Sequence, residues 1–232
     1  AIGLQNPGID LFCKRDIPFL KKYDTKIIVN VCGHAPEEYL AVVERLADEP
    51  IDMMEINISC PNVNAGFLAF GQDAKHVEEL TAQIKKIAKQ PIIMKLTPNV
   101  TDITEIAKAA EAGGADAISL ITTLTGMKID INRKTFALAN KTGGVSGPIV
   151  KPVALRMVYQ AAHAVNIPII GMGGIASAED AIEFILAGAS AVSVGTANFH
   201  NPAVTMEVID GIEAYMKKNG FENVADMVGI VE

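Results

Sequence analysis

The stretch Pro91–Ile121 reads PIIMKLTPNVTDITEIAKAAEAGGADAISLI and places one amphipathic segment between two apolar runs. The runs Pro91–Leu96 and Ala115–Ile121 are nearly all apolar, as strands covered on both faces are. Asp102–Ala112 carries apolar residues at helical spacing with charges opposite them, and Gly113 suits the end of a helix. A strand, a helix and a second strand in this order predict a parallel β–α–β unit.

The same alternation continues on both sides of this unit. Four further strands are predicted, at Lys26–Val31, Met53–Ile58, Ile167–Met172 and Ser190–Gly195. Five further helices are predicted, at Pro36–Asp48, Asp73–Ala88, Pro152–Val165, Ala178–Ala187 and Ala203–Lys217. The pattern indicates a single α/β domain over residues 1–232, a TIM (β/α)8 barrel with about six of its eight strand–helix units present. We expect these six to be the third to the eighth, so that the barrel is N-terminally incomplete.

One connection, Thr122–Ile149, is much longer than the others. It contains Lys128–Asn132 and Arg133–Ala139, which are predicted to form a small hairpin, followed by the glycine-rich segment Gly143–Gly147. A long excursion on the carboxyl side of a strand is usually functional. Before Lys26, a loop and a helix are expected.

The composition excludes several classes of protein. Of the 232 residues, 50% are hydrophobic and 20% are charged, which is globular and not disordered composition. The 27 acidic and 20 basic residues give a net charge of −7, so no nucleic-acid partner is expected. No apolar run approaches the roughly 18 residues that would span a bilayer, and no secretory leader is visible. A cytoplasmic location without membrane contact is therefore expected.

The cysteines Cys13, Cys32 and Cys60 are far apart and form no CxxC pair. No zinc site, iron–sulfur cluster or other metal site is therefore expected in this chain. Cys13 and Cys32 are interpreted as packing residues. Cys60 follows a strand, is flanked by two asparagines and precedes the glycine-containing segment Asn62–Gly71. A thiol in that place could act as a base or nucleophile, although a buried cysteine more often only packs.

Polar residues collect where the predicted strands end, which is the edge at which parallel α/β proteins bind ligands. These residues are Asn30, Asn57, Lys95, Thr122 and Thr123. Lys95 ends an otherwise apolar strand, and its ammonium must reach solvent or an anion because burying it alone is costly. If Lys95 lies beside an electron-rich heterocycle, its positive charge would favour the anionic form of that ring. The alternative is that the side chain only extends to solvent.

Glycines in the last two units indicate a phosphate site. Gly173–Ser177 (GGIAS) is followed by Asp180, which makes a capping-box pattern at the start of a helix. The glycine N–H groups are then free to approach an anion, and Gly195-Thr196 follows the next strand. Barrel enzymes build phosphate sites after strands seven and eight. The alternative is that these glycines only make tight turns.

Several motifs, in order along essentially the whole chain, resemble those of the class 1 dihydroorotate dehydrogenases. Asn57–Asn62 (NISCPN) is similar to that family's active-site stretch, and Ala1–Gly8 (AIGLQNPG) to its substrate loop in the class 1B form. The likeness continues in Lys95–Asn99 (KLTPN), Gly143–Pro148 (GGVSGP), Gly171–Gly174 (GMGG) and Gly195–Phe199 (GTANF).

The resemblance implies an FMN-containing barrel that oxidises dihydroorotate to orotate in pyrimidine (UMP) biosynthesis. Cys60 would remove the proton from C5 of the substrate while the hydride at C6 passes to flavin N5. The substrate would be bound by Ile2, Gly3, Leu4, Asn57, Asn62, Thr122 and Thr123. The flavin ring would be held by Asn30, Asn57, Lys95 and Ile121, and its phosphate by Gly147, Gly173, Gly174, Gly195 and Thr196. The segment Asn62–Gly71 would form a lid that excludes water.

The class 1B likeness also implies a partner subunit carrying FAD and a [2Fe–2S] cluster, which passes electrons to NAD. The assembly would be a heterotetramer built on a homodimer of this chain.

Two departures from the family pattern matter. Thr122 stands where the family usually has a substrate-binding asparagine, and Ala65–Ala69 (AGFLA) has Phe67 where a glycine is usual. They leave open a different dihydropyrimidine substrate. A non-catalytic truncated barrel and a fumarate-linked class 1A homodimer are two further hypotheses.

Overall fold

A computed structural model of the protein describes residues 5–59 and 70–231. Its strands and helices are, in chain order, α1 (Ile9–Leu11), α2 (Ile17–Leu20), β1 (Ile28–Val31), α3 (Pro36–Leu46), β2 (Met53–Asn57), α4 (Ala74–Ile87), β3 (Ile92–Lys95), α5 (Ile103–Ala112), β4 (Ala117–Leu120), β5 (Leu124–Met127), β6 (Ile129–Asp130), β7 (Thr135–Phe136), β8 (Thr142–Val145), α6 (Lys151–Ala162), β9 (Ile169–Met172), α7 (Ala178–Leu186), β10 (Ala191–Ser193) and α8 (Val204–Asn219). The helix expected before Lys26 is present as α1 and α2, joined by a π-helical turn.

Six strands form one parallel sheet in the order β1-β2-β3-β4-β9-β10. Each is followed along the chain by a helix, α3 to α8 in turn, so six consecutive strand–helix units are present. The six predicted strands and six predicted helices are confirmed, with ends that shift by at most three residues. This order is that of neighbouring units in a curled half of a β/α barrel.

Alternate residues of each strand face opposite sides of the sheet. Val31, Ile56 and Met94 lie in one register row and are at most 1% exposed, in the core formed with the helices. Burying a side chain of this size stabilises the fold by about 1.5–3 kcal/mol. The next row lies on the inner face, where Asn57 is opposite Lys95 and Lys95 is opposite Ser119. The outer face therefore holds the sheet to its helices, and the inner face is left for polar side chains.

The long connection after β4 contains the predicted hairpin, in which Ile129 pairs with Phe136. It also contains a second antiparallel ribbon that the sequence did not predict, β5 with β8, in which Leu124 pairs with Val145. The ribbon was missed because its strands, LTGM and TGGV, are rich in glycine, which has low strand propensity.

Two kinds of feature are absent from the described residues. None of the helices in residues 5–59 and 70–231 combines the length and apolarity needed to cross a membrane. In those same ranges, no three His, Cys, Asp or Glu side chains are placed to hold a metal ion.

Candidate active site

A cavity of about 480 Å³ opens at the carboxyl ends of β3, β4, β9 and β10. Many of the residues predicted from the sequence line it: Lys95, Ile121, Thr122, Thr123, Gly147, Gly173, Gly174, Gly195 and Thr196. These residues come from five separate segments of the chain, and parallel pairing of the strands brings them to one edge. Asn30 and Asn57 are not in the lining; Asn57 is opposite Lys95 on the inner face, and Asn30 contacts Asn57.

The glycines at one end of the cavity allow a close approach to the main chain. Gly174 has a φ of +81°, and a Cβ there would lie 2.8 Å from the Lys151 nitrogen and 2.9 Å from the Gly147 oxygen, so only glycine fits. Gly195 differs, because a Cβ there would meet no atom within 4 Å. The open space beside Gly195 suits a ligand. Among the described residues, the N–H groups of Gly174, Gly195 and Thr196 have no hydrogen-bond acceptor. These donors suit an anion.

The predicted capping box at the start of α7 is present. Ser177 Oγ accepts from the Asp180 N–H at 3.2 Å, while Asp180 Oδ2 accepts from the N–H groups of Ala176 at 2.9 Å and Ser177 at 3.1 Å. Lys151 Nζ lies 2.7 Å from Asp180 Oδ1 and 3.0 Å from Glu183 Oε1. An anion bound near the start of α7 therefore does not use the Ala176 and Ser177 N–H groups, and the N–H of Gly174 is the donor on that side.

Asp180 is ionised because its partners outweigh its burial. Burial is the largest single influence and raises the pKa of this carboxyl, but the Lys151 ammonium and the Ala176 and Ser177 N–H groups together hold the pKa below its usual value. Asp180 in turn raises the pKa of Lys151. The ammonium of Lys151 thus forms ion pairs with two carboxylates. An anion at the glycine-lined end of the cavity would therefore be bound by main-chain N–H groups.

Asn30 and Asn57 belong to one hydrogen-bonded chain on the inner face. Asn57 Nδ2 donates to Asn30 Oδ1 at 3.2 Å, and Asn57 Oδ1 accepts from both the hydroxyl of Ser59, at 2.6 Å, and its N–H, at 3.2 Å. The Tyr39 hydroxyl donates to the Asn57 carbonyl at 2.8 Å. These contacts fix the end of β2 at the point where the chain reaches Cys60.

Three residues of this chain of contacts were missed or misread in the sequence. Glu55 and Ser119 lie on the inner face, Glu55 between Asn30 and Ser119. The signal for Glu55 was a charge in an otherwise apolar strand, two residues before Asn57 and so on its face of the sheet. Cys32 is not simply a packing residue: its thiol donates to Asn30 Oδ1 at 3.2 Å, and Asn57 Nδ2 lies 3.6 Å from its sulfur. Cys13 is buried, which is the main reason that its pKa is raised.

Comparison with known proteins decides the family. The family model described as dihydroorotate dehydrogenase matches residues 1–216 of the chain. The chain belongs to the dihydroorotate dehydrogenase family. It is 66% identical, over 232 residues, to the catalytic subunit of dihydroorotate dehydrogenase B (NAD(+)) from Lachnoclostridium phytofermentans, covering 100% of this chain and 77% of the relative. The subunit of the same name from Alkaliphilus metalliredigens is 61% identical over 229 residues, covering 99% of this chain and 76% of the relative.

A solved dihydroorotate dehydrogenase supports the barrel. The enzyme from Eimeria tenella, crystallised with ferulenol, matches 98% of this chain and 69% of its own chain with a TM-score of 0.80 at 23% sequence identity. The predicted fold class is therefore confirmed: the six parallel strands are part of a TIM barrel. The family resemblance found in the motifs, and the NAD-linked class B form in particular, agree with the relatives.

Several of the residues expected from the family likeness lie outside the described part of the chain. They are Ile2, Gly3, Leu4, Cys60, Asn62 and the remaining lid positions up to residue 69, among them Phe67. What the structure describes is the two flanks of the lid segment. A Cβ on Gly71 would lie 2.5 Å from the Ile58 carbonyl oxygen, so the two flanks lie side by side at the end of β2.

Thr122 and Thr123, by contrast, are both described and both line the cavity, directly after the cis peptide bond between Leu120 and Ile121. A further residue of the family-like motif KLTPN joins this region to the lid flank. Asn99 Oδ1 accepts from the Thr125 N–H at 3.3 Å, and the Asn99 carbonyl accepts from Gln72 Nε2 at 2.9 Å. Thr122, where the sequence departs from the family pattern, thus lines the candidate cavity.

Proposed function

We propose that this chain is the catalytic subunit of an NAD-linked dihydroorotate dehydrogenase, which oxidises dihydroorotate to orotate in pyrimidine (UMP) biosynthesis. The observation that carries the proposal is a single cavity. Main-chain N–H groups that suit an anion line one part of it, and Lys95, Thr122 and Thr123 line another. A long cofactor with a phosphate at one end and a redox-active ring at the other fits this arrangement. The names of the close relatives support the same activity.

The residues present fit FMN. The open space at Gly195 and the N–H groups of Gly174, Gly195 and Thr196 suit the phosphate, together with Gly147 and Gly173. Lys95 and Ile121 line the cavity farther along, Asn57 is opposite Lys95 on the inner face, and Asn30 contacts Asn57. We assign the flavin ring to these four residues. Bound FMN supplies a hydride acceptor.

The substrate is assigned to the carboxyl ends of β2 and β4. Thr122 and Thr123 from β4, Asn57 from β2, and Asn62, Ile2, Gly3 and Leu4 from the segments outside the described residues would hold its polar groups. Cys60 would take the proton from C5. Ser59, which donates two hydrogen bonds to Asn57, directly precedes Cys60 in the sequence. The lid segment would exclude water from the reacting atoms.

The electron route is assigned to a second protein. The relatives are named as catalytic subunits of an NAD(+) enzyme, which supports a partner subunit. We propose that the partner carries FAD and a [2Fe–2S] cluster and delivers electrons to NAD, within a heterotetramer built on a homodimer of this chain. The fumarate-linked alternative predicts that no iron–sulfur flavoprotein copurifies.

Anaerobic reduction by substrate tests the activity. The protein should purify yellow with FMN, and dihydroorotate should bleach the flavin in the absence of oxygen, because its two electrons enter FMN. A protein that binds no flavin when FMN is supplied would contradict the assignment and support a non-catalytic barrel.

A second candidate substrate is favoured by Thr122, whose single short hydroxyl lines the cavity where the family usually has asparagine. The choice is measured by comparing bleaching rates for dihydroorotate, dihydrouracil and dihydrothymine. Dihydroorotate is expected to be fastest. A faster reaction with either uncharged ring would assign the chain to another dihydropyrimidine.

Replacing Gly195 by valine should weaken FMN binding about 10-fold or more. The branched side chain would occupy the space of the phosphate, and the phosphate would lose its hydrogen bonds from the main-chain N–H groups. Flavin fluorescence titration measures the dissociation constant. Gly220→Asn is the matched control, since a Cβ at Gly220 also meets nothing within 4 Å, and asparagine tolerates its φ of +77° at the end of α8. Equal affinity in Gly195→Val and the control would place the phosphate elsewhere.

A further inference from the structure

Glu55 stands on the inner face of β2, between a residue of β1 and a residue of β4. It is half-buried, and its register neighbours Asn30 and Ile93 lie on either side of it. A half-buried carboxylate loses part of its hydration and is retained only where hydrogen bonds compensate it. The contacts made by Glu55 are therefore the place to look for its role.

Both carboxylate oxygens of Glu55 are used. Oε1 accepts from Asn30 Nδ2 at 2.5 Å, and Oε2 accepts from Ser119 Oγ at 2.8 Å. Ser119 is completely buried, so Glu55 is its route to a hydrogen-bond partner. The side chain thus links β1, β2 and β4 directly beside Lys95, which is opposite both Asn57 and Ser119 in the sheet.

These bonds determine which way the Asn30 amide points. An ionised carboxylate only accepts hydrogen bonds, so the Asn30 atom that faces Glu55 must be the NH₂ group. The Asn30 oxygen then faces Asn57 Nδ2, at 3.2 Å, and the Cys32 thiol. The Asn57 oxygen is in turn left for Ser59, which donates two hydrogen bonds to it. One orientation of each amide satisfies the whole chain of contacts; Glu55 fixes it at the Asn30 end, and the Ser59 N–H fixes it at the Asn57 end.

We propose that Glu55 is a positioning residue of the flavin and substrate site, whose carboxylate holds the NH₂ group of Asn30 in place and so completes the orientation of the Asn30–Asn57 pair. The proposal rests on the proposed function, because there Asn30 and Asn57 contact the flavin and the substrate. Without Glu55, the Asn30 NH₂ group loses its acceptor, and the amide is held only through its oxygen, by Asn57 and Cys32. The role is one of direction and not of charge.

Two substitutions at Glu55 separate direction from charge. Glu55→Gln removes the charge but keeps every contact, since the glutamine oxygen accepts from Asn30 and its NH₂ donates to the Ser119 hydroxyl. Glu55→Leu has similar bulk and accepts nothing. Ser119→Ala is the matched control, because it removes the other Glu55 contact and leaves the one to Asn30.

The dissociation constant for FMN, measured by fluorescence titration of the flavin-free chain, is the main readout. We expect Glu55→Leu to weaken FMN binding about 10-fold or more, and Glu55→Gln and Ser119→Ala to stay within about 3-fold of the unsubstituted chain. The KM for dihydroorotate should rise in Glu55→Leu and not in Glu55→Gln. Melting temperatures of the flavin-free proteins show whether affinity merely follows stability.

A rescue experiment tests the proposal even if Glu55→Leu does not fold. Asn30→Asp places an acceptor against the acceptors of Glu55 and should weaken FMN binding, whereas Asn30→Asp combined with Glu55→Gln restores a donor between the two residues and should recover affinity. No recovery would overturn the proposal. The proposal would also fail if Glu55→Gln bound FMN as weakly as Glu55→Leu, because the charge would then be what matters. It would fail as well if Ser119→Ala bound FMN as weakly as Glu55→Leu. If the unsubstituted chain binds no FMN, the proposed function itself fails.

Discussion

Replacing Cys60 by alanine should slow the anaerobic bleaching of the flavin by dihydroorotate about 10²–10⁴-fold, because a general base contributes rate enhancement of that order. FMN should stay bound, since the proposed phosphate donors Gly174, Gly195 and Thr196 belong to the last two strand–helix units. The described neighbours support the placement: Asn57 holds Ser59 through two hydrogen bonds, one residue before Cys60. Stopped-flow absorbance of the flavin measures the rate.

The control for this experiment is Cys13→Ser. Cys13 is the buried residue of the π-helical turn between α1 and α2, where it interacts with Glu49 and Arg45. Its substitution should leave the bleaching rate unchanged, so any effect of Cys60→Ala belongs to that position and not to the loss of a thiol. A Cys60→Ala protein that bleaches at the unsubstituted rate would remove Cys60 from the reaction.

Replacing Lys95 by methionine should slow bleaching about 10²-fold or more, on the scale measured when one preorganised electrostatic contact is lost. Methionine keeps the length of the side chain but removes the charge beside which negative charge develops on the flavin ring. The reduction potential of bound FMN should fall at the same time, because the oxidised ring is then favoured. Lys95→Arg should retain most of the potential, since the charge remains.

Lys85→Met is the matched control for this substitution. Lys85 pairs with Asp116, whose carboxylate also accepts from the Ile92 N–H at the opposite, amino-terminal ends of β3 and β4. Its loss should change neither the rate nor the potential. An unchanged potential in Lys95→Met would place the flavin ring away from Lys95.

The fold could be predicted from the sequence because each strand–helix unit carries its own signal. The run PIIMKL is apolar throughout, and the segment after it has helical spacing and a capping aspartate, Asp102, which accepts from the Thr104 N–H. Such local signals require no knowledge of neighbours. The ribbon of β5 and β8 has no comparable signal, because glycines break the alternation and the pairing joins segments that are distant in sequence.

The site could be predicted only as far as strand ends could be placed. The glycines, Lys95 and the two threonines were found because parallel strands end at a common edge. Glu55 and Ser119 were missed because their contact depends on register, which the sequence does not reveal: β2 must pair with β3 and β3 with β4 before the two side chains face each other. Cys32 was misread in part for the same reason, since one of its two partners, Asn57, is on another strand.

The two ends of the proposed site differ in how they can change over evolutionary time. At the phosphate end the donors are main-chain N–H groups, which every amino acid except proline supplies, so most side-chain substitutions nearby leave cofactor retention intact as long as Gly174 and Gly195 persist. At the substrate end the contacts are side chains, and a single replacement such as threonine at position 122 alters the fit. Descendants of one flavin-binding barrel can therefore diverge in the ring they oxidise while inheriting the same cofactor.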